Sequence, residues 1–230
     1  MKRIQIFLTT VLAVSIATGS YAQNTFFPTK AGTVLTYANN DAKGKATNYS
    51  RMTIKSVEGS GSNMTISYVM ENLDKNRKSL TDPPMEIPCT VIIKDDVVIL
   101  DMNQMFTNQI KDQQIKMEFT GVPMELPGNM QPGQSLKDAE MTMTLDMGIM
   151  KMSTVMKMTD GQCLAIEDLK VPAGTFKCHK ITQTVTTTVM RRATTSKTVS
   201  WYAPGIGTIK TETYDAKDKL QGSMELVEMN

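Results

Sequence analysis

A single histidine, His179, stands among 230 residues. Most hydrolytic and metal chemistry near neutral pH leans on imidazole, so this scarcity removes most of the usual catalytic combinations. Cysteine is almost as rare, at three. Cys89, Cys163 and Cys178 are never spaced as Cys-x-x-Cys, which argues against a zinc site and a thioredoxin-type redox pair. An odd number also leaves at least one thiol without an intramolecular partner. The Gly-x-Ser-x-Gly elbow, the phosphate-cradling Gly-x-x-x-x-Gly-Lys, the dinucleotide fingerprint and the calcium loop are all missing. Cys178 and His179 are neighbours on a predicted strand. Consecutive strand side chains leave opposite faces, so the two cannot form a dyad. No catalytic residue, metal site or cofactor is expected, and the chain does not read as an enzyme.

An excess of either charge is lacking too. The chain carries 25 basic and 23 acidic residues, and removal of Lys2 and Arg3 with an N-terminal leader leaves 23 against 23. A neutral chain argues against nucleic acid, which demands a basic face to displace counterions. It argues equally against electrostatic docking on anionic lipid. The basic doublets Arg77-Lys78 and Arg191-Arg192 read as charged hairpin ends.

Long apolar runs are confined to the N-terminus. Residues 1–22 read as a secretory signal: Lys2 and Arg3 form the charged start, Ile4 to Ala17 the apolar stretch, and Ser20-Tyr21-Ala22 the cleavage site. The stretch is too short and too interrupted for a good transmembrane helix. No cysteine follows Ala22, so a lipoprotein anchor is not expected. The expectation is cleavage after Ala22 and a single all-β domain over 23–230, periplasmic or extracellular, with no transmembrane segment after processing.

What remains is β-patterned almost throughout. Short alternating runs are separated by turn chemistry about every ten residues. Only Met102–Ile110 looks helical, with Asp101 or Asn103 as N-cap. Pro123 to Gly133 reads as a proline- and glycine-rich crossover within one domain. Ile149–Met158 and Cys163–Leu169 read as separate strands. Asp41-Ala42-Lys43-x-Lys45 is echoed by Asp215-Ala216-Lys217-x-Lys219, which suggests two alike hairpins rather than a duplication. The fold class is an all-β antiparallel half-barrel or barrel-like sandwich with at most one short helix.

The turn Val171-Pro172-Ala173-Gly174 sets a register. If Val171 pairs with Gly174, Cys178 faces Glu167 and Cys163 faces Thr182. The two thiols then share a face four residues out of step, roughly 14 Å apart, whereas a bridge needs Cα atoms within about 7 Å. No Cys163–Cys178 disulfide is expected.

Methionine is the surplus, at 20 residues. It concentrates between Met141 and Met158. Alternation puts Met141, Met143, Leu145 and Met147 on one face of a strand, and Met150, Met152, Met156 and Met158 on one face of the next. Thioethers are soft ligands that could hold copper(I), but His179 lies far away in sequence and gives a mixed site little to recruit. A deformable apolar wall is the preferred reading. Met141, Met143, Met147, Met150, Met152 and Met156 are the candidate ligand-binding residues, expected to point inward.

Three motifs carry a resemblance. They are Leu126-Pro127 followed by Gly133-Gln134-Ser135-Leu136-Lys137-Asp138-Ala139, then Val171-Pro172-Ala173-Gly174-Thr175-Phe176-Lys177-Cys178, then Trp201-Tyr202-Ala203-Pro204-Gly205-Ile206-Gly207. In order and spacing they resemble the TapB-like family of exported bacterial domains of unknown function. That resemblance implies an all-β, barrel-like domain in the cell envelope, and it carries over no activity and no catalytic residues. The functional expectation is an exported binding module. Its partner would be an apolar small molecule, or an envelope protein or lipoprotein, held in a Met-lined interior. The alternative is a structural protein with a filled core and no small ligand.

Overall fold

The structure is a computed structural model that describes residues 25–100, 116–146, 148 and 150–230. The leader and the expected helix Met102–Ile110 lie outside the described residues. Thirteen strands follow one another: β1 (Val34–Asp41), β2 (Ala46–Ser60), β3 (Asn63–Leu73), β4 (Glu86–Lys94), β5 (Val97–Leu100), β6 (Lys116–Val122), β7 (Met124–Pro127), β8 (Ala139–Asp146), β9 (Lys151–Val171), β10 (Gly174–Val189), β11 (Arg192–Ala203), β12 (Gly207–Asp215) and β13 (Leu220–Met229).

All thirteen belong to one antiparallel sheet, in the order β6-β8-β9-β10-β11-β12-β13-β1-β2-β3-β4-β5-β7. The two edge strands are β6 and β7, and a single residue, Pro123, joins them. A chain that passes from one sheet edge to the other in one residue requires the sheet to curl until its edges meet. The result is a barrel-like sheet, nearly closed, whose seam runs along β6 and β7. Closure shelters the unpaired edge groups that an open sheet leaves exposed.

The Pro123–Gly133 segment is therefore not a plain crossover, because it contains β7. Proline at both of its bounds is tolerated since β7 is an edge strand with one unpaired side. Nor is there a break between the strands expected at Ile149–Met158 and Cys163–Leu169: β9 runs unbroken from Lys151 to Val171. Asp160-Gly161, a turn pair by composition, acts as a bulge. Asp160 takes φ 53°, and the pairing with β10 shifts between Thr182 and Thr184.

The Pro172-Ala173 turn pairs Val171 with Gly174 and sets Cys178 opposite Glu167, as its chemistry requires. Farther along, a second shift between Lys180 and Ile181 puts Cys163 opposite Ile181 rather than Thr182. The two thiols are thus on opposite faces of the sheet, not on a shared one. All three cysteines are buried free thiols.

Three turns share one device. Asp41 Oδ1 accepts the amides of Lys43 and Lys45 at 2.9 and 3.0 Å. Asp74 Oδ1 accepts those of Asn76 and Lys78 at 2.7 and 2.9 Å. Asp215 Oδ1 accepts those of Lys217 and Lys219 at 2.8 and 3.0 Å. The sequence echo between the first and last of these is an aspartate turn used twice.

One core cluster packs inside the barrel. Leu35, Ile54, Ile66, Val91, Ile93, Val98 and Leu126 are almost fully buried. Alternation explains the choice: Ile66 pairs with Val91, Ile93 with Val98, and Val98 with Leu126, so each pair shares one face of the sheet. Phe26 and Phe27 precede β1 and plug this space, held by the Gly205 amide donating to the Thr25 carbonyl at 2.7 Å.

Candidate functional site

Among the described residues, two apolar cavities lie within the barrel. The first, about 110 Å³, opens at the seam and is walled by Leu100, Phe119, Val122, Pro123, Met124, Met141 and Met158 among others. The second, about 180 Å³, lies among Phe26, Phe27, Tyr37, Met52, Met70, Leu100, Tyr202, Ile206 and Met224. Leu100 lines both. A methionine wall suits a variable occupant, because the flexible thioether reshapes around whatever it meets.

The seam cavity owes its shape to backbone proximity. Gly121 in β6 takes φ +133°, and a Cβ there would come within 2.0 Å of the Glu140 carbonyl oxygen in β8. Only glycine lets the two strands approach so closely at the cavity wall.

Polar groups are few in the larger cavity. Tyr37 and Tyr202 are its main ones, and burial raises the pKa of both phenols, keeping them neutral donors. Thr208 joins them, and Tyr202 is hydrogen-bonded to Ser200 and Thr208.

The methionine candidates divide. Met141 lines the seam cavity and stands opposite Met156. Met152 pairs with Leu145, and Met143 has Thr154 on one side and Phe119 on the other. These four share the sheet face that carries buried Ala139 and core-packed Met158. All four are half-buried. The opposite face is polar, with Lys157–Glu140 and Lys151–Asp146 ion pairs at 2.9 and 3.1 Å. Met150 precedes β9 and is 47% exposed, so it belongs to a turn rather than to the wall. Met147 lies outside the described residues.

The residues that enclose the larger cavity were not candidates in the sequence. Met52, Met70 and Met224 come from β2, β3 and β13, and each sits in an alternating strand of its own. Their strand patterns mark them as facing inward. Nothing in the sequence says that those strands face one another around a void.

The buried thiols and the histidine lie outside the linings of both cavities. Burial pushes the Cys178 thiol up to about 12 and raises Cys89 and Cys163 as well, which keeps all three protonated and poorly nucleophilic. His179 pairs with Tyr202 and Ile166 across the sheet, whereas Cys178 pairs with Glu167. The two neighbours leave opposite faces. The His179 ring sits edge-on to Phe26 at 4.8 Å and hydrogen-bonds the Met130 backbone carbonyl. Its Nδ1 is buried without a partner. Among the described residues no three His, Cys, Asp or Glu side chains are grouped to hold a metal ion.

The family model described as DUF3108-like matches residues 30–226, nearly the whole described chain. The chain belongs to the DUF3108-like family. That description, not the TapB-like name suggested by the turn motifs, is what the match carries. No curated protein matches this DUF3108-like chain in sequence. Two crystal structures share its fold. One is a Bacteroides fragilis protein provisionally described as exported, with a YmcC-like fold. It is 21% identical, with a TM-score of 0.70 over 90% of this chain and 99% of that one. The other, from Parabacteroides distasonis, is provisionally described as a lipoprotein. It is also 21% identical, with a TM-score of 0.72 over 90% of this chain and 98% of that one.

Proposed function

We propose that this DUF3108-like barrel is an exported, non-enzymatic binding module that holds an apolar group in its interior. The observation that carries the reading is the pair of adjoining cavities, about 110 and 180 Å³, walled mainly by methionine, phenylalanine and leucine and meeting at Leu100. An engineered cavity of about 150 Å³ in another protein takes up benzene, so these volumes suit a small hydrocarbon group or the end of one acyl chain. Met143, Met152 and Met156 extend the wall beyond the seam cavity, where a longer chain would lie. Tyr37 and Tyr202 would orient any polar end. Export is supported by the reading of residues 1–22, and by the descriptions of the two structural neighbours, one exported and one a lipoprotein.

One observation favours the structural alternative. Ordinary ligand pockets span about 300–1,000 Å³, and neither cavity reaches that range. Native mass spectrometry of protein purified without detergent separates the two. A co-purifying hydrocarbon-sized adduct is expected, and Met224→Trp, which fills the larger cavity, should remove it while the protein stays folded. A clean unliganded mass together with no uptake of an apolar fluorescent probe would establish the filled-core reading instead.

A further inference from the structure

One end of the barrel differs from its sides. Successive strands run in opposite directions, so the β1–β2, β3–β4, β8–β9, β10–β11 and β12–β13 connections share one rim. The β10–β11 turn has two residues, Met190-Arg191, between the paired Val189 and Arg192. Both are left-handed, at φ 47° and 69°. This is the tight-hairpin geometry that Asn-Gly adopts freely and that bulky residues adopt under strain. The comparable turn at the opposite end uses Asp95-Asp96, which tolerate it better. Local strain kept in a bulky tip points to a role outside folding.

The tip presents apolar and cationic groups together. Met190 is 61% exposed and Val189 39%. Arg191 and Arg192 are exposed, and neither makes an ion pair among the described residues. Met150 is exposed in the neighbouring β8–β9 tip, which runs past the Val189–Thr154 pair.

The β1–β2 and β12–β13 tips add cations beside aspartates that are hydrogen-bonded or ion-paired, whereas the β3–β4 loop on the same rim carries exposed Asp82 together with exposed Leu80 and Met85. Asp41 and Asp215 are tied to the amides of their own turns. Asp146 accepts the Gly148 amide and pairs with Lys151, and Asp218 pairs with Lys197. Lys43, Lys45, Lys217 and Lys219 stand at exposed positions without an ion pair among the described residues.

We infer that this rim docks on an anionic lipid surface. Met150, Val189 and Met190 enter the headgroup layer while the arginines and lysines meet its negative charge. The chain's neutrality does not oppose this, because salt screens charges beyond about 10 Å and only the rim lies that close. The inference stands whether or not the cavities hold a ligand.

Flotation with vesicles tests it. The protein should float with phosphatidylcholine–phosphatidylglycerol vesicles, release at high salt, and stay behind with phosphatidylcholine alone. The double variant Met190→Asn/Arg191→Gly gives the turn its preferred residues, so it should fold at least as stably. It should nevertheless bind the anionic vesicles about tenfold more weakly. Arg191→Glu/Arg192→Glu should abolish binding. Absence of vesicle binding, equal binding to both vesicle types, or native-like binding by the Asn-Gly variant would overturn the inference.

Discussion

His179 is buried against Phe26, with Nδ1 unpartnered and a hydrogen bond to the Met130 carbonyl. Burial lowers its pKa below 6.5; the Met130 bond opposes this, and the Lys177 cation adds to the lowering. The groups facing it otherwise are Phe26, Ile166 and the neutral Tyr202 phenol, none of them an anion. The unfolded chain therefore takes up this proton more readily than the fold does. The histidine's contribution is whole above pH 6.5 and declines as pH falls through that value toward the lower folded one. Each unit of depression is worth about 1.4 kcal/mol. Melting should fall between about pH 7.5 and about pH 5.5 in the native chain, and His179→Gln should flatten that difference. An unchanged slope in the variant would assign the pH dependence to other groups.

Single aspartates fix whole hairpins. Asp215 Oδ1 accepts two backbone amides in the β12–β13 turn, and its Oδ2 accepts from the Gln221 amide at 3.0 Å. Asp215→Ala leaves those donors to water and loosens the register of both strands. A loss of about 1–2 kcal/mol in urea unfolding is expected. Asp215→Asn keeps the acceptor and should recover most of it. If Ala and Asn were equally harmful, the carboxylate's charge rather than its turn-forming bonds would be the source. The same argument explains the two composition-based errors in β9 and β7. Asp160-Gly161 and the proline-rich segment carry turn chemistry, yet one sits in a bulge and the other on an edge, where the sheet tolerates both.

All thirteen strands share one sheet and most buried residues one core, so 23–230 should unfold as a unit. Trp201 is buried and donates its Nε1–H to Glu167 at 2.7 Å, under the Lys180 and Lys210 cations. Its fluorescence reports β9–β12, while far-ultraviolet circular dichroism reports every strand. The two should trace one coincident urea transition. Separate midpoints would divide the sheet into independently folding parts.

The sequence by itself determined the strands, most of their turns and the polar and apolar faces, because side-chain alternation and turn chemistry are local properties. It also determined the poverty of reactive groups: with one histidine placed beside Cys178, no fold could assemble a dyad from that pair on a regular strand. Alternation placed Met141 and Met143 on one face of a strand and Met152 and Met156 on one face of the next, but it put Met150 with them, and that residue stands exposed before β9. What only the tertiary structure decided is what those faces meet. A bulge opposite Lys180 and Ile181 resets the register that a simple turn would propagate, and so moves Cys163 to the face opposite Cys178. Closure at Pro123 brought Leu100, Met124 and Met141 around one cavity, and Met52, Met70 and Met224 around the next. Alternation says which side of a strand is apolar. Which strands then enclose a common space depends on strand order, bulges and curl, which are set by contacts between residues far apart in the chain.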